Sequence, residues 1–329
     1  MVGVAGLFSY PVKGCAGMAL GATELTERGL AHDRTFLIVD EDGAARTQRG
    51  QPQLARINPD IDPDGRRLTL SAEGIESFAL AVDITAPRRN VTMFGHPYRA
   101  IDQGDGVAAW LTEAIGLPSR LVRVPPEHTR VTDGLVPGTS AFADSCPIHI
   151  LSVASLAGLN GAITARGADP VTLNRFRPNI VVDGWDEPHT EDRASRLAIA
   201  DTALGFAKLA IRCAVTLVDQ RHGVRVGPEP LRTLATYRRA AGGGVAFGAK
   251  FAVLRPGLLA VGDDVTVTQW DSGQKHAGIT EGRPFRKDPP ALVDPADPPA
   301  LVSSACFWPD RRRGGSPTAP GGPGCRCIP

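Results

Sequence analysis

The sequence predicts a mainly β protein: a β-barrel domain with a few helices, a smaller strand-rich domain before it, and a disordered tail after it. Two observations predict the β class. Short apolar segments separated by turn residues recur over residues 1–275, and segments with the 3.6-residue spacing of helices are few. A third observation predicts the tail, because the composition after Trp270 shifts towards proline, glycine and arginine.

Polar turn clusters divide the N-terminal part of the chain into pairs of strands. Each cluster is rich in Asp, Gly or Pro and lies between two short apolar arms. The predicted hairpins span residues 35–48, 56–70 and 91–101, with turns at residues 40–43, 62–65 and 95–97. Hairpins at this spacing favour a barrel or a sandwich over a parallel sheet.

Three helices are predicted from capping residues and apolar spacing. Asp105 is expected to cap a helix over residues 106–115. A second helix over residues 152–165 carries apolar residues three and four positions apart. Pro230 is expected to start a third helix over residues 231–239, because proline suits the first turn.

The second half of the chain returns to strands. They are predicted over residues 179–182, 207–210, 214–218, 250–254 and 265–269. The segment 125–144 lacks periodicity and marks a boundary. We therefore predict an N-terminal domain over 1–124, a barrel domain over 125–275 and a tail over 276–329. The tail cannot bury enough apolar surface to offset the entropy of ordering it.

The composition argues against several classes of function. The 329 residues carry a net charge of +1, so no overall charge attracts nucleic acid or an anionic membrane, and neither is expected as a partner. No run of about 18 apolar residues predicts a membrane-spanning helix. Six scattered cysteines do not form a disulfide framework, so we expect a reducing, cytoplasmic location.

Three polar segments are candidates for an anion site. Lys13 and Gly14 end the first predicted strand, where an ammonium and an open backbone suit an anion, although a surface turn is the simpler alternative. Arg34 is either a phosphate-binding side chain or the ion-pair partner of Asp33. Arg177, beside a rigid proline at the mouth of a strand, is expected to bind an anionic ligand or a structural carboxylate.

Cys213 is the residue whose role decides the function. It follows an apolar run and has no second cysteine at the spacing of a metal or redox pair. Such a thiol is a buried core filler, a nucleophile, or a single ligand to a thiophilic metal, and core filler is the commonest of the three. Ser152 opens a predicted helix, where the simplest role for its hydroxyl is an N-cap.

The order of these segments resembles that of one protein family. The motifs are, in order, YPVKGC, GLAHDR, DSCPIHILSVASLAGLN, RFRPNIVVDG, RCAVTLVD, PLRTLATYRR and FGAKFAVLRPGLLAVGDDV. This series is similar to the MOSC family, the molybdenum cofactor sulfurase C-terminal domain proteins. It resembles most the branch with an N-terminal MOSC β-barrel domain, which includes the amidoxime-reducing components. The resemblance covers residues 4–270.

The resemblance implies a molybdenum cofactor, in which a pterin dithiolene and one protein cysteine hold the metal. Cys213 is then the expected metal ligand and a catalytic residue, with Asp144 a second catalytic residue near the metal. The implied cofactor-binding residues are Lys13, Gly14, Arg34, Ser152, Arg177, Asn179, Arg212 and Cys213. The chemistry agrees, because a thiolate suits a metal already bound by sulfur, and arginine and lysine suit an anionic phosphate.

The activity implied by the resemblance is reduction of N-hydroxylated small molecules, with electrons from a separate reductase. The alternative is a non-catalytic carrier that holds molybdenum cofactor, or sulfur on Cys213. The resemblance also implies pyridoxal phosphate binding. No iron–sulfur cluster is expected, because Cys306, Cys325 and Cys327 lack the spacing of a four-cysteine ligand set. Bacterial relatives place an amide after the FG that matches residues 247–248. Ala249 stands there in this chain, which weakens the expectation of a cofactor contact.

Overall fold

The computed structural model describes residues 1–271 and 279–280. The strands are β1 (Gly3–Ser9), β2 (Met18–Leu20), β3 (Ala22–Thr26), β4 (Gly29–Leu30), β5 (Phe36–Val39), β6 (Asn58–Ile61), β7 (Arg67–Ala72), β8 (Ile75–Ala81), β9 (Arg88–Met93), β10 (His96–Asp102), β11 (Arg120–Arg123), β12 (Val131–Thr132), β13 (Gly138–Thr139), β14 (Ile148–Ser152), β15 (Ile180–Asp183), β16 (Ala194–Ile199), β17 (Thr202–Arg212), β18 (Val218–Asp219), β19 (Val224–Arg225), β20 (Arg239–Ala240), β21 (Val245–Arg255), β22 (Gly257–Ala260), β23 (Val265–Trp270) and β24 (Ile279–Thr280). The α-helices are α1 (Asp105–Ile115), α2 (Val153–Thr164), α3 (Thr190–Arg193) and α4 (Leu231–Leu234), and 3₁₀ turns cover Pro52–Arg56, Leu173–Arg175 and Ala214–Leu217. These elements confirm the predicted mainly β class.

The largest sheet closes into a barrel. Its main path runs β2–β1–β15–β14–β21–β17–β16–β23, and only the β14–β15 pair is parallel among its paired strands. A bridge between Gly3 and Asp264 joins the start of β23 to β1, and the Val265 amide donates to the Val2 carbonyl. Closure pairs the strands that would otherwise be exposed sheet edges. A core of buried aliphatic side chains and two phenylalanines packs against these strands.

The N-terminal part forms two smaller sheets around helix α1. One sheet has the order β5–β11–β10–β9, and the other has the order β6–β7–β8. Helix α1 buries Val107, Trp110 and Leu111 in a core shared with both sheets. The helix ends at Gly116, whose left-handed φ of 75° is a conformation that glycine adopts without strain.

Strands from the first thirty residues pair with strands from the second half of the chain. Strand β1 pairs with β15, and β3 pairs with β22. These pairings bring the loops that follow β1 and β4 to the barrel, where the candidate site lies. The domain division between residues 124 and 125 stays a prediction. No helix among the described residues is long and apolar enough to cross a membrane.

Two of the three predicted hairpins form. Strands β6 and β7 pair, as do β9 and β10. The predicted hairpin over 35–48 forms only in part. Ala45 makes an antiparallel bridge to Val39 and the Arg46 amide donates to the Ile38 carbonyl at 2.8 Å, but the strand partner of β5 is β11. Helix α1 begins at Asp105 itself, whose carboxylate pairs with Arg120 at 2.8 Å instead of capping the helix.

Two predicted elements near the site also differ in the structure. The predicted strand over 214–218 is mostly a 3₁₀ turn, because the Thr216 amide and hydroxyl both donate to the Cys213 carbonyl. The predicted helix over 231–239 stops at Leu234. The chain beyond it turns towards β21, where the Ala246 amide donates to the Arg238 carbonyl at 2.9 Å. The predicted disordered tail, 276–329, lies outside the described residues except for β24, which pairs with β20.

Candidate functional site

A pocket of about 410 Å³ opens between the barrel and the loops of the N-terminal part. Eight of the nine predicted site residues line it: Lys13, Gly14, Arg34, Asp144, Arg177, Asn179, Arg212 and Cys213. They come from separate segments, namely the loops after β1 and β4, the loops before β14 and β15, and the end of β17 with the residue that follows it. The fold therefore brings together side chains that are up to two hundred positions apart in the sequence.

The pocket is strongly basic although the whole chain is nearly neutral. Its cationic lining residues are Lys13, Arg34, Arg49, Arg177, Lys208, Arg212 and Lys250, and its one lining carboxylate is that of Asp144. Ion pairs neutralise three of the seven cations, by Asp144, Asp33 and Asp133. Within the described chain, the other four have no carboxylate partner. Unpaired cations around one concave space form a site for an anion.

Lys13 and Asp144 form the ion pair at one wall of the pocket. The Lys13 ammonium also donates to the Phe142 carbonyl at 2.8 Å. The Asp144 side chain is 64% exposed, so its carboxylate faces the open pocket. Partial desolvation inside the pocket opposes its ionisation, but the Lys13 ammonium outweighs that effect and lowers the pKa of Asp144. Asp144 is therefore an ionised hydrogen-bond acceptor at neutral pH.

Arg34 makes the ion pair that one of its two sequence interpretations proposed, and the phosphate-binding interpretation stays a prediction. Its guanidinium donates to Asp33 at 2.6 Å, which is the ion pair, and it also lines the pocket. It donates further to the Asn179 side-chain oxygen at 3.1 Å. Asn179 is 1% exposed, and the same side-chain oxygen also accepts from the backbone amide of His149 on β14. Asn179 thereby holds the Arg34 guanidinium against the barrel.

Arg34 and Arg177 both have left-handed backbones, with φ of 49° and 55°. Residues other than glycine, asparagine and aspartate seldom adopt this region, and the strain persists only where surrounding contacts enforce it. Here the contacts are shared, because the Arg34 guanidinium donates to the Arg177 carbonyl at 3.3 Å. Two cationic residues with strained backbones at one pocket are typical of a functional site rather than of a simple turn.

Tyr10 is a member of this wall that residue-by-residue analysis of the sequence did not identify. The guanidinium carbons of Arg34 and Arg177 each lie 4.2 Å from the centre of its ring. Its hydroxyl donates to the Pro178 carbonyl at 3.0 Å, and burial raises its pKa to about 12. The ring thus orients both cations. The motif YPVKGC contains this tyrosine, which is the signal that could have identified it.

Cys213 directly follows the last residue of β17, and its exposure excludes the role of a buried core filler. Its thiol is exposed, and the residue lines the pocket. The preceding Arg212 donates to the Phe176 carbonyl at 2.8 Å. Burial lowers the pKa of Arg212 to about 10, so its guanidinium remains charged at neutral pH beside the thiol.

His149 and Lys250 face each other on β14 and β21 and form the floor of the pocket. His149 is 1% exposed, and its Nε2 has no hydrogen-bond partner among the described residues. Burial lowers its pKa well below the ordinary value, so the ring is neutral. Gly248 makes room for it, because a Cβ at that position would lie 2.5 Å from Nε2. Lys250 lies in the FGAK segment, where Ala249 weakened the expectation of a cofactor contact.

Ser152 is the predicted site residue that the structure places elsewhere. It is 1% exposed and is not among the residues lining the pocket. Its hydroxyl accepts from the Ser155 amide at 3.0 Å, which makes it the N-cap of α2, and lies 2.8 Å from Glu191. His149 and Ser152 are three residues apart on β14, so their side chains point to opposite faces of the strand.

The donor set suits an anionic cofactor with one sulfur ligand from the protein. Among residues 1–271 and 279–280, no group of three or more His, Cys, Asp and Glu side chains could hold a metal by itself. The pocket instead offers one exposed thiol, unpaired cations, and two buried polar atoms without partners, Nε of Arg212 and Nε2 of His149. A large polar ligand would satisfy these atoms, and the residues present therefore fit a phosphorylated pterin cofactor.

Comparison with known proteins agrees with the motif order. The model of the MOSC N-terminal beta barrel domain matches residues 1–118, and that of the MOSC domain matches residues 137–266. Mitochondrial amidoxime-reducing component 1 of Homo sapiens is 35% identical over 285 residues, which are 80% of this chain and 82% of that protein. Mitochondrial amidoxime reducing component 2 of Rattus norvegicus is 33% identical over 284 residues, 80% of this chain and 82% of that protein.

A second kind of relative matches only part of its own length. The molybdenum cofactor sulfurase of Danio rerio is 30% identical over 265 residues, which are 75% of this chain and 31% of that protein. Among solved structures, the YuaD protein of Bacillus subtilis is 11% identical, with 80% of this chain and 94% of that chain covered and a TM-score of 0.34. The two domain models and the relatives confirm the resemblance, and the chain belongs to the MOSC family, in the branch that carries the N-terminal MOSC beta barrel domain.

Proposed function

We propose that this protein is a molybdenum cofactor-binding oxidoreductase that reduces N-hydroxylated compounds with electrons from a separate reductase. The observation that carries the proposal is the exposed Cys213 thiol in a pocket whose cations exceed its carboxylates. The names of two relatives support it, since both are amidoxime-reducing components and each aligns with 80% of this chain.

In this proposal each part of the pocket has a separate role. Cys213 is the metal ligand, and Lys13, Arg34, Arg177 and Arg212 hold the anionic part of the cofactor, with the Gly14 backbone allowing close approach. Asn179 acts through Arg34, whose guanidinium it positions. When bound, the cofactor supplies two-electron oxygen-atom transfer. The overall reaction converts an N-hydroxyl group, two electrons and two protons into an N–H group and water.

Asp144 is the chain's own group for substrate orientation. Its carboxylate is ionised, exposed to the pocket and anchored from behind by Lys13. It can accept a hydrogen bond from the N–H or O–H of an N-hydroxylated group. Because Lys13 keeps its pKa low, Asp144 serves as an acceptor that aligns the substrate rather than as a store of protons at neutral pH.

The ligand assignment is tested by metal analysis. The full chain is purified from a host that makes the cofactor, and molybdenum is measured by mass spectrometry for the wild type and for Cys213→Ser. We expect the variant to lose most of its metal. Cys146→Ser is the matched control, because Cys146 lines the same pocket with its thiol buried against the Asp133 carbonyl. Full molybdenum in Cys213→Ser would contradict the assignment.

A carrier without turnover is the second candidate, and the likeness to a molybdenum cofactor sulfurase favours it. An exposed thiol can carry a persulfide as well as bind a metal, and a fold does not determine a reaction. The two candidates differ in one assay, the reduction of benzamidoxime by loaded protein with an artificial electron donor. Turnover supports the oxidoreductase, whereas bound cofactor without turnover supports the carrier.

Three further expectations remain part of this proposal. We propose a cytoplasmic location, because the scattered cysteines of the sequence do not form a disulfide framework. The absence of an iron–sulfur cluster stays a prediction, because the three tail cysteines lie outside the described residues. Pyridoxal phosphate binding likewise stays a prediction, since none of the comparisons names it.

A further inference from the structure

Phe94 occupies the tip of a two-residue hairpin at the pocket. Met93 and His96 pair at the ends of β9 and β10, which leaves Phe94 and Gly95 as the turn. Their φ angles are 53° and 79°, so both central residues are left-handed. A turn of this kind favours Asn-Gly or Asp-Gly, and a bulky aromatic residue at its first position is a strained choice.

The Phe94 side chain, which is attached to this strained backbone, lies at the pocket and not in the core. Phe94 lines the pocket and is 45% exposed. The Lys13 ammonium lies 5.0 Å from the centre of the ring, and the Arg49 guanidinium carbon lies 5.4 Å from it. Two cation–π contacts thus fix the ring while leaving nearly half of the side chain open. Strain that is kept at a ligand site, with no gain in core burial, indicates a functional role.

A second exposed apolar side chain lines the same pocket from the barrel. Ile211 is 51% exposed and lies at the end of β17, two residues before Cys213. The loop beside it allows this position, because a Cβ on Gly244 would lie 2.8 Å from the Ile211 Cγ2. Phe94 and Ile211 are thus two exposed apolar side chains that line a largely cationic pocket, and we call this pair the apolar lip.

We infer that Phe94 is a specificity-determining residue that, with Ile211, binds the aromatic body of an N-hydroxylated substrate while the N–O group enters the basic interior. This inference rests on the proposed function and names its substrate class. The polar N–O group of such a substrate matches the cationic lining of the pocket, and its flat apolar body matches Phe94 and Ile211. An aryl group gains apolar burial and ring contacts at the lip, whereas a methyl group in its place is too small to gain either.

The test compares benzamidoxime with acetamidoxime, which share the N-hydroxylated head and differ in the body. Phe94→Asn removes the ring and suits the left-handed turn. Loaded protein with an artificial donor is assayed for kcat/KM on both substrates, and Tm and molybdenum content are measured alongside. We expect the benzamidoxime-to-acetamidoxime ratio of kcat/KM to fall about tenfold, with Tm higher by about 2 °C and molybdenum unchanged.

Two controls define the role of the ring. Phe94→Tyr keeps the ring and should keep the ratio. Leu258→Asn removes an apolar side chain that is 74% exposed and outside the pocket lining, and should also keep it. An unchanged ratio in Phe94→Asn would overturn the inference. Loss of molybdenum in that variant would overturn it too, because the ring would then hold the cofactor.

Failure of the proposed function leaves a different signature. If loaded wild-type protein reduces neither amidoxime, the oxidoreductase proposal is wrong, and the lip is then decided by calorimetry with benzamidoxime as the ligand. Weaker binding to Phe94→Asn than to the wild type would support the lip. Equal binding to the two proteins, or no binding to either, would overturn it.

Discussion

Two polar clusters adjoin strand β14, and they differ in how charge is balanced. On one face of the strand, His149 belongs to the central pocket, where Arg177, Arg212 and Lys250 have no carboxylate partner within the described residues. At the end of the strand, Ser152 belongs to a second group of buried side chains that we name the α3 cluster: Ser152, Ser155, Glu191, Asp192 and Arg238.

The α3 cluster pairs its charges within the chain. The pairing is incomplete, since Oδ1 of Asp192 has no hydrogen-bond partner among the described residues and burial raises the pKa of Asp192 to about 7. Arg238 pairs with Asp192, and its Nε donates to the Ala246 carbonyl at 3.1 Å. Glu191 accepts from the Ser152 amide at 3.3 Å and contacts the Ser152 hydroxyl. Removal of one member of a buried pair leaves the other buried without compensation, whereas a buried cation that has no carboxylate partner is unfavourable until an anion binds. The contrast predicts that removing a charge will destabilise one cluster and stabilise the other.

The largest expected effect is in the α3 cluster. Asp192→Leu leaves the Arg238 guanidinium buried without its carboxylate, and removal of one member of a buried ion pair costs about 3–5 kcal/mol. We expect the free energy of unfolding in urea to fall by that amount. The control is Asp133→Asn, which breaks an exposed pair with Lys208 and should cost less than about 1 kcal/mol. Equal losses in the two variants would remove the distinction between the clusters.

The opposite sign is expected in the pocket. Burial, with Arg34 and Arg212 nearby, lowers the pKa of Lys250 to about 7. Lys250→Met removes that unfavourable charge. In protein without cofactor we expect the free energy of unfolding at pH 7 to rise by about 1–2 kcal/mol, less than the full shift implies because water reaches the pocket.

The pH dependence checks the cause of that gain. The pKa of Lys250 is lower in the folded state, so as pH falls from about 10 to about 7 the unfolded chain gains a proton that the folded protein does not, and stability falls. The gain from Lys250→Met should therefore shrink at pH 9.5. Lys208→Met is the matched control on the facing position of β17, since Lys208 bonds to both oxygens of Asp133 at 2.7 Å and should show no gain.

The sequence predicted the residues of the site better than it predicted which strands pair to bring those residues together. Lys13, Arg34, Arg177 and Cys213 were identified from motif order, and the pocket contains all four. Local signals could not predict that β1 would pair with β15, because such pairing depends on contacts far apart in sequence. His149 was missed for the same reason: only the fold shows that it is buried in the pocket without a partner for Nε2.

Ser152 shows what motif matching alone cannot resolve. The motif places it near the site, but strand geometry turns it to the face opposite His149, where its hydroxyl caps α2. Ser152→Ala should lower the free energy of unfolding by about 1 kcal/mol, because it removes the cap and a contact to the fully buried Glu191.

The same variant separates a structural serine from a cofactor ligand. Protein purified from a cofactor-competent host should contain as much molybdenum in Ser152→Ala as in the wild type, since Ser152 does not line the pocket. Loss of metal without loss of stability would place Ser152 among the cofactor contacts after all. Ser152 would then belong to the cofactor-binding residues of the pocket and not to the structural residues of the α3 cluster.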